Sequence, residues 1–192
     1  VVTILKSVGA VLTDDHFVYT SGKHGSVYIN KDALYPHTAE ASRVGEMFAK
    51  KFAHLEVDTV VAPALGGIIL SQWTAHHLSG IKGKEVLGIY TEKDAEKNQV
   101  FTRGYDRFVN GKNVLVIEDL ATTGGSVVKV LKSVRAAGGT VVGVGVMVNR
   151  DPDNVNEAMM GVPFLALGDI KARAFDEKEC PLCARGVVIN TT

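Results

Sequence analysis

The spacing of apolar and polar positions changes period repeatedly along this chain, and each change marks an element. Ile4, Leu5, Val8 and Val11 fall at helical spacing and predict a short amphipathic helix. Residues 17–30 read as extended chain folded about a Ser21-Gly22 turn. From Thr38, an expected N-cap, Ala41, Val44, Phe48 and Phe52 mark one face of a helix running to Ala53. Asp58–Ala62 predicts the first core strand, Pro63–Gly67 breaks it, and Ile68–Leu78 restarts the helical period. Val86–Tyr90 is the next strand, followed by a loop over 91–111. A strand over Asn113–Ile117, a helix to Ala137 stopped by Gly138-Gly139, a strand over Thr140–Val148 and a short one over Pro163–Leu167 complete the pattern.

This alternation predicts an α/β fold: a mainly parallel, twisted sheet with helices on both faces. With 192 residues the chain suits one domain and is too short for two full ones. Residues 1–35 are expected to form a small hood to which the tail, 169–192, can add, over a core at 36–168. No internal repeat or low-complexity segment is visible.

Composition narrows the function. The 46% hydrophobic content and 20 glycines fit a fold with many tight turns. No segment approaches the ~20 continuous apolar residues of a membrane span, and none reads as a signal peptide. A soluble, cytoplasmic protein without a membrane partner is expected. The 21 basic and 21 acidic residues cancel, which argues against a nucleic-acid partner, so any anion is bound locally. Lys82–Lys112 carries seven basic and five acidic residues and reads as a solvated stretch with a few placed cations.

The densest chemistry lies at residues 114–126. Val114, Leu115, Val116 and Ile117 read as a strand covered on both faces. Glu118 and Asp119 follow at the carboxyl edge, where open α/β sheets bind ligands. Leu120, Ala121, Thr122, Thr123, Gly124, Gly125 and Ser126 then lead into a helix, and amides of such a turn can surround a phosphate. Adjacent carboxylates suit the vicinal hydroxyls of a ribose and favour positive charge developing on the sugar. The lysine of a P-loop and the three glycines of a dinucleotide fingerprint are both missing. The bland alternative is an ordinary strand, turn and helix.

These residues, Glu118-Asp119 followed by Thr122–Ser126, resemble the ribose phosphate signature of type I phosphoribosyltransferases, which use phosphoribosyl pyrophosphate and Mg²⁺. Two further segments resemble orotate phosphoribosyltransferases: residues 17–30, where a Ser-Gly turn leads into an aromatic strand, and Asn149-Arg150-Asp151. The Cys180-Pro-Leu-Cys183 tail resembles a compact prokaryotic branch of that family. The resemblance covers roughly residues 10–190. It implies transfer of ribose 5-phosphate to orotate, in pyrimidine biosynthesis, by loose displacement at the anomeric carbon.

The resemblance also implies roles. Glu118, Asp119 and residues 120–126 would hold the ribose phosphate, Gly66 and Gly67 would approach the pyrophosphate, and Lys93 would close over it from a mobile loop at 91–103. Relatives place this loop in the partner subunit's site, which implies a homodimer. Glu92, Glu96 and Asn98 stand where an arginine, a second lysine and a histidine are usual, so Lys97 could substitute for the second lysine and Arg103 could help. Arg150 would pair with the orotate carboxylate through its planar fork, with Tyr28 and Ile29 as a flat wall and Thr122 touching both base and phosphate. A surface ion pair between Arg150 and Asp151 is the alternative. Thr20 replaces a lysine that touches pyrophosphate in many relatives, and Lys23 could compensate.

Mg²⁺ would be held mainly by pyrophosphate, ribose hydroxyls and water, so no cluster of metal-ligating side chains is expected. His24, His76 and His77 receive little weight as ligands. Cys180 and Cys183 could be half a zinc site, a redox pair or a turn. Zinc normally needs four ligands and no second cysteine pair exists, so histidines from elsewhere or a second subunit would have to complete the site. A tail turn open to oxidation is the preferred reading. Two rival functions remain: a phosphoribosyltransferase for a purine or other base, and a non-catalytic sensor of phosphoribosyl pyrophosphate.

Overall fold

The computed structural model describes residues 1–19, 22–171 and 173–190; Thr20 and Ser21 of the first turn lie outside them. After helix α1 (Val2–Ser7), strands β1 (Val11–Val18) and β2 (His24–Ile29) form an antiparallel pair. Val11 therefore opens a strand where helical spacing placed it in the helix. The core then runs α2 (Thr38–Phe52), β3 (Thr59–Pro63), α3 (Gly66–Lys82), β4 (Leu87–Lys93), β5 (Gln99–Val100), β6 (Asn113–Ala121), α4 (Gly125–Ala136), β7 (Thr140–Asn149), α5 (Glu157–Met160) and β8 (Phe164–Ala166). A last short helix, α6 (Pro181–Ala184), lies in the tail. Thr38 is the first helical residue of α2, and His37 occupies the N-cap without a side-chain bond.

The sheet order is β5-β4-β3-β6-β7-β8, parallel except where β5 turns back on β4. From β3 the chain moves outward through β4, then returns to β6 on the other side and proceeds through β7 to β8. The reversal between β3 and β6 is a topological switch point, and the connections leaving their carboxyl ends separate there to leave a crevice.

Alternation along the central strands divides the core in two. Val60, Leu115 and Ile117 face α2, α3 and the hood, packing with Phe48, Phe52, Leu70 and Leu78. Val61, Val114 and Val116 face α4, against Val127, Val130, Leu131 and Val134. Both faces are covered by apolar helix stripes, which explains why these strands read as unbroken hydrophobic runs.

The tail joins the hood. Phe175 bridges to His24, Asn190 bridges to Phe17, and the Asn190 amide N–H donates to the His16 carbonyl at 2.7 Å. Cys180 and Cys183, expected as a plain turn, converge on His16 and His24. A cluster of side chains that could hold a metal was not expected, and His24, given little weight as a ligand, is one of its members. The histidines lie more than 150 residues upstream of the cysteines and come together only through the hood hairpin.

Candidate active site

β6 is longer than its apolar run. It continues through Glu118 and Asp119 to Ala121 because β7 pairs with it as far as Asn149. Both acids are thus buried strand residues, 6% and 3% exposed. Period-two alternation sends them to opposite faces: Glu118 follows Val114 and Val116 toward α4, and Asp119 follows Leu115 and Ile117 toward the hood.

Asp119 is met there by Lys31, whose Nζ lies 2.6 Å from Oδ2, and by Tyr35, whose hydroxyl donates to the same oxygen at 3.0 Å. Burial opposes charge on Lys31, but the Asp119 carboxylate prevails and raises its pKa above the ordinary value. Burial, reinforced by the same carboxylate, also raises the Tyr35 phenol well above its usual range, so it stays a donor. On the other face, burial pushes the Glu118 carboxyl well upward and the neighbouring Asp119 charge adds to the effect, although the Asp119 amide donates to Glu118 Oε1 at 2.9 Å.

The loop after β3 closes the crevice. Its Ala64-Leu65 peptide is cis, and the Ala64 amide donates to the Thr91 carbonyl of β4 at 2.8 Å. Gly66 starts α3 directly against the site, since a Cβ there would overlap Asp119 Oδ2 and come within 2.8 Å of Lys31 Nζ and of the Tyr35 hydroxyl. Gly67 faces the other way, where a Cβ would meet Ala62 at 2.7 Å. Of the pair, Gly66 lines the cavity and Gly67 packs closely on Ala62 of β3.

Two cavities meet at this edge. One of about 190 Å³ is lined by Lys31, residues 63–66, Lys93, Gln99, Glu118, Asp119, Leu120 and Ser126. A second of about 140 Å³ is lined by Glu118 and residues 120–127. Glu118, Leu120 and Ser126 are common to both. Gly124, the N-cap of α4, has φ +70° and would press a Cβ against Met159 at 3.0 Å, so the turn depends on glycine there. A carboxylate edge beside an amide-rich turn and a lysine is the donor set for a phosphorylated sugar.

Comparison with known proteins decides the family, since the phosphoribosyl transferase domain matches residues 30–159. The chain belongs to this family. An orotate phosphoribosyltransferase of Thermus thermophilus is 37% identical over 188 residues, covering 97% of this chain and 96% of that one. One from Caldanaerobacter subterraneus is 33% identical, over 92% and 87% of the respective chains. Among solved structures, the orotate phosphoribosyltransferase of Aeropyrum pernix superposes with a TM-score of 0.65 at 27% identity, covering 88% of this chain and 92% of that one. The Mycobacterium tuberculosis enzyme in complex with phosphoribosyl pyrophosphate shares the fold, with a TM-score of 0.66 at 22% identity, over 87% of this chain and 94% of that one.

Within this phosphoribosyltransferase the segment 91–103, expected as a loop, contains a β-hairpin formed by β4 and β5. β4 runs on to Lys93, and Asp94 holds the turn by accepting from the Asn98 amide at 2.7 Å. Thr91 donates to Gln99 inside the pair. From α4, Lys129 reaches the Lys97 carbonyl at 2.6 Å and Ser133 bonds the Gln99 carbonyl. The hairpin is thereby folded onto its own chain, and Lys93 lines that chain's cavity. Lys97 sits in the turn with φ +61° and is absent from the cavity lining. Glu92, the unusual acid, accepts from Thr102 and pairs with Arg103 at 3.3 Å, which ties down the hairpin's far end and occupies Arg103.

Arg150 begins just after β7, where its amide donates to the Ala121 carbonyl at 2.8 Å, one residue before Thr122. Its guanidinium lies over the Tyr19 ring, 5.0 Å from the centroid. Asp151 instead accepts from Asn154, so Arg150 makes a cation–π contact in place of the Arg150–Asp151 ion pair that was the alternative reading. Tyr28 and Ile29 do not form one wall. They alternate across β2, with Ile29 buried in the core and Tyr28 stacked on Phe17 at 5.4 Å. Lys23 pairs with Asp176 of the tail at 3.7 Å and is not among the residues that line the two cavities. His76 and His77 pack around Trp73, and His77 lies 2.9 Å from the Ser42 hydroxyl. Sequence reasoning missed Lys31, Tyr35 and Tyr19. The available signal was position: Lys31 directly follows the recognised 17–30 segment, Tyr35 lies one helical turn on, and Tyr19 lies inside it.

Proposed function

We propose that this chain is an orotate phosphoribosyltransferase, transferring ribose 5-phosphate from phosphoribosyl pyrophosphate to orotate and releasing pyrophosphate. The observation that carries the reading is the joint lining of the 190 Å³ cavity by the acid pair, Gly66, Lys93 and Ser126, in a chain whose near-full-length relatives bear that name.

A ring nitrogen of orotate attacks the anomeric carbon as the bond to pyrophosphate breaks, and positive charge develops on the ribose. The amides of residues 122–126 and the α4 N-terminus suit the 5-phosphate. Lys93 suits the charge growing on the leaving group. Asp119, oriented by Lys31 and Tyr35, suits accepting a hydrogen bond from a ribose hydroxyl and stabilising the cationic ring. Burial and the neighbouring Asp119 charge raise the Glu118 carboxyl pKa, and the approach of positive charge favours its ionisation.

With Asp119 already bonded to Lys31 and Tyr35 and Glu118 buried beside it, this edge offers at most two weak metal donors. It therefore fits a Mg²⁺ ion carried on the pyrophosphate and ribose hydroxyls. That ion would offset phosphate charge and make pyrophosphate a better leaving group. We place the enzyme in the cytoplasm, since its phosphorylated substrates do not cross membranes freely; among the described residues no helix is long and apolar enough to span one. The homodimer implied by the family belongs to the same proposal, with each Lys93 serving its own chain's cavity.

Arg150 is the proposed orotate carboxylate partner, and its place beside Thr122 supports that. Steady-state rates test it. Arg150→Ala is expected to raise KM for orotate about tenfold or more while leaving KM for phosphoribosyl pyrophosphate nearly unchanged, with partial recovery in Arg150→Lys. Equal effects on both KM values would remove Arg150 from the base site.

A further inference from the structure

We propose that His16, His24, Cys180 and Cys183 form a tetrahedral zinc site that fastens the C-terminal tail to the N-terminal hood. The site lies in the hood and is independent of the sugar phosphate cavity. His16 sits in the bulge of β1, His24 starts β2, and the two cysteines flank the first turn of α6 at a C-x₂-C spacing.

The geometry is close to that of a bound ion. Zinc bonds of about 2.0–2.1 Å to nitrogen and 2.3 Å to sulfur, at tetrahedral angles, put ligand atoms roughly 3.3–3.8 Å apart. Here Cys183 Sγ lies 3.3 Å from His24 Nδ1 and 3.6 Å from His16 Nε2, and Cys180 Sγ lies 3.8 Å from His16 Nε2. The two ring nitrogens are 2.8 Å apart and need to separate by only about half an ångström to reach that range. All four ligand atoms fall within 4.8 Å of one another.

The surroundings suit a metal. His16, His24 and Cys180 are buried at 1%, 5% and 1% exposure. His16 Nδ1 lies 2.8 Å from the Val187 carbonyl, a bond it makes as N–H donor, so its Nε2 turns a lone pair toward His24 and both sulfurs. A shared proton between the imidazoles would satisfy one contact and leave the thiols unused. A cation satisfies all four donors at once. Four protein ligands leave no open position, so the site is structural, and two thiolates with two imidazoles select zinc over hard, oxygen-seeking ions.

The tail also needs such a fastening. Among its described residues from 173 to 190, only Cys180 is buried, while Val187, Val188 and Ile189 are exposed. A segment with so little apolar burial gains its order from a few hydrogen bonds and, on this proposal, from metal binding. The fastening reaches the active site indirectly, because the hairpin it clamps leads into Tyr19, on which Arg150 rests.

The test is metal content. The full-length chain, purified tag-free in reductant and dialysed, is expected to carry about one zinc per chain by elemental analysis, against almost none in Cys180→Ser/Cys183→Ser. In case that variant misfolds, the wild type stripped by a chelator and titrated with Co²⁺ gives an independent reading. Intense visible bands of tetrahedral cobalt with thiolate charge transfer in the near ultraviolet support the site, as does a chelator-induced fall in Tm that zinc reverses. A wild-type chain that stays metal-free after reconstitution with zinc in reductant and shows no such cobalt spectrum overturns the proposal. So does undiminished zinc in the folded double variant. Neither readout depends on the reaction the enzyme catalyses.

Discussion

Asp119 and Glu118 are sequence neighbours that look in opposite directions, and their electrostatics divide accordingly. Lys31 and Tyr35 hold Asp119 on the hood side. Glu118, buried toward α4 beside that charge, has its pKa pushed well above the ordinary carboxyl value. Because the folded-state value is raised, Glu118 favours the native state fully below the ordinary glutamate pKa of about 4.3, and that advantage is lost as pH rises through the folded value. Glu118→Gln, whose amide oxygen can still accept from the Asp119 N–H, escapes the loss. Its Tm without substrate is expected to match wild type near pH 4 and to exceed it increasingly toward pH 8. A Tm difference that does not vary with pH would show that Glu118 ionises normally. The acid pair was legible because two carboxylates after a buried run are costly unless used. Lys31 and Tyr35 were not, since their partner lies 84 or more residues away and only their position just after the 17–30 segment marks them.

At the scale of elements, periodicity located the core strands and long helices and misjudged their ends. β6 extends past its hydrophobic run because pairing with β7 and a partnered acid compensate for buried charge. Charge density made 91–103 read as a loop without regular structure. It is a hairpin because Thr91, Gln99, Lys129 and Ser133 supply bonds that composition does not reveal. This element separates the two candidate lysines. Lys97 occupies a left-handed turn position that glycine adopts without steric cost, so Lys97→Gly is expected to retain activity and to change stability by no more than about 1 kcal/mol in urea unfolding, in the stabilising direction. Lys93→Ala, at the cavity wall, is expected to lower kcat by about 100-fold or more with unchanged stability. Loss of activity in Lys97→Gly with full activity in Lys93→Ala would reverse the assignment.

Across the whole molecule, the order of strands matters more than any single motif. The switch point between β3 and β6 brings together a loop near residue 65, an acid pair near 118 and a hairpin lysine at 93, and sequence alternation already implied such a crevice. Less legible was the return of the tail to the hood, because bridges from Phe175 and Asn190 and the meeting of His16 with Cys180 join segments from opposite ends of the chain. The identity of the base that this crevice accepts decides the enzyme's reaction. The most direct measurement is a competition: wild-type protein, Mg²⁺ and phosphoribosyl pyrophosphate with equimolar orotate, uracil, adenine, guanine, hypoxanthine and xanthine, the nucleotide products resolved by mass spectrometry. Orotidine 5′-monophosphate is expected as the dominant product, with pyrophosphate released in equal amount. A purine nucleotide or uridine monophosphate in its place, or no nucleotide despite bound phosphoribosyl pyrophosphate, would contradict the account.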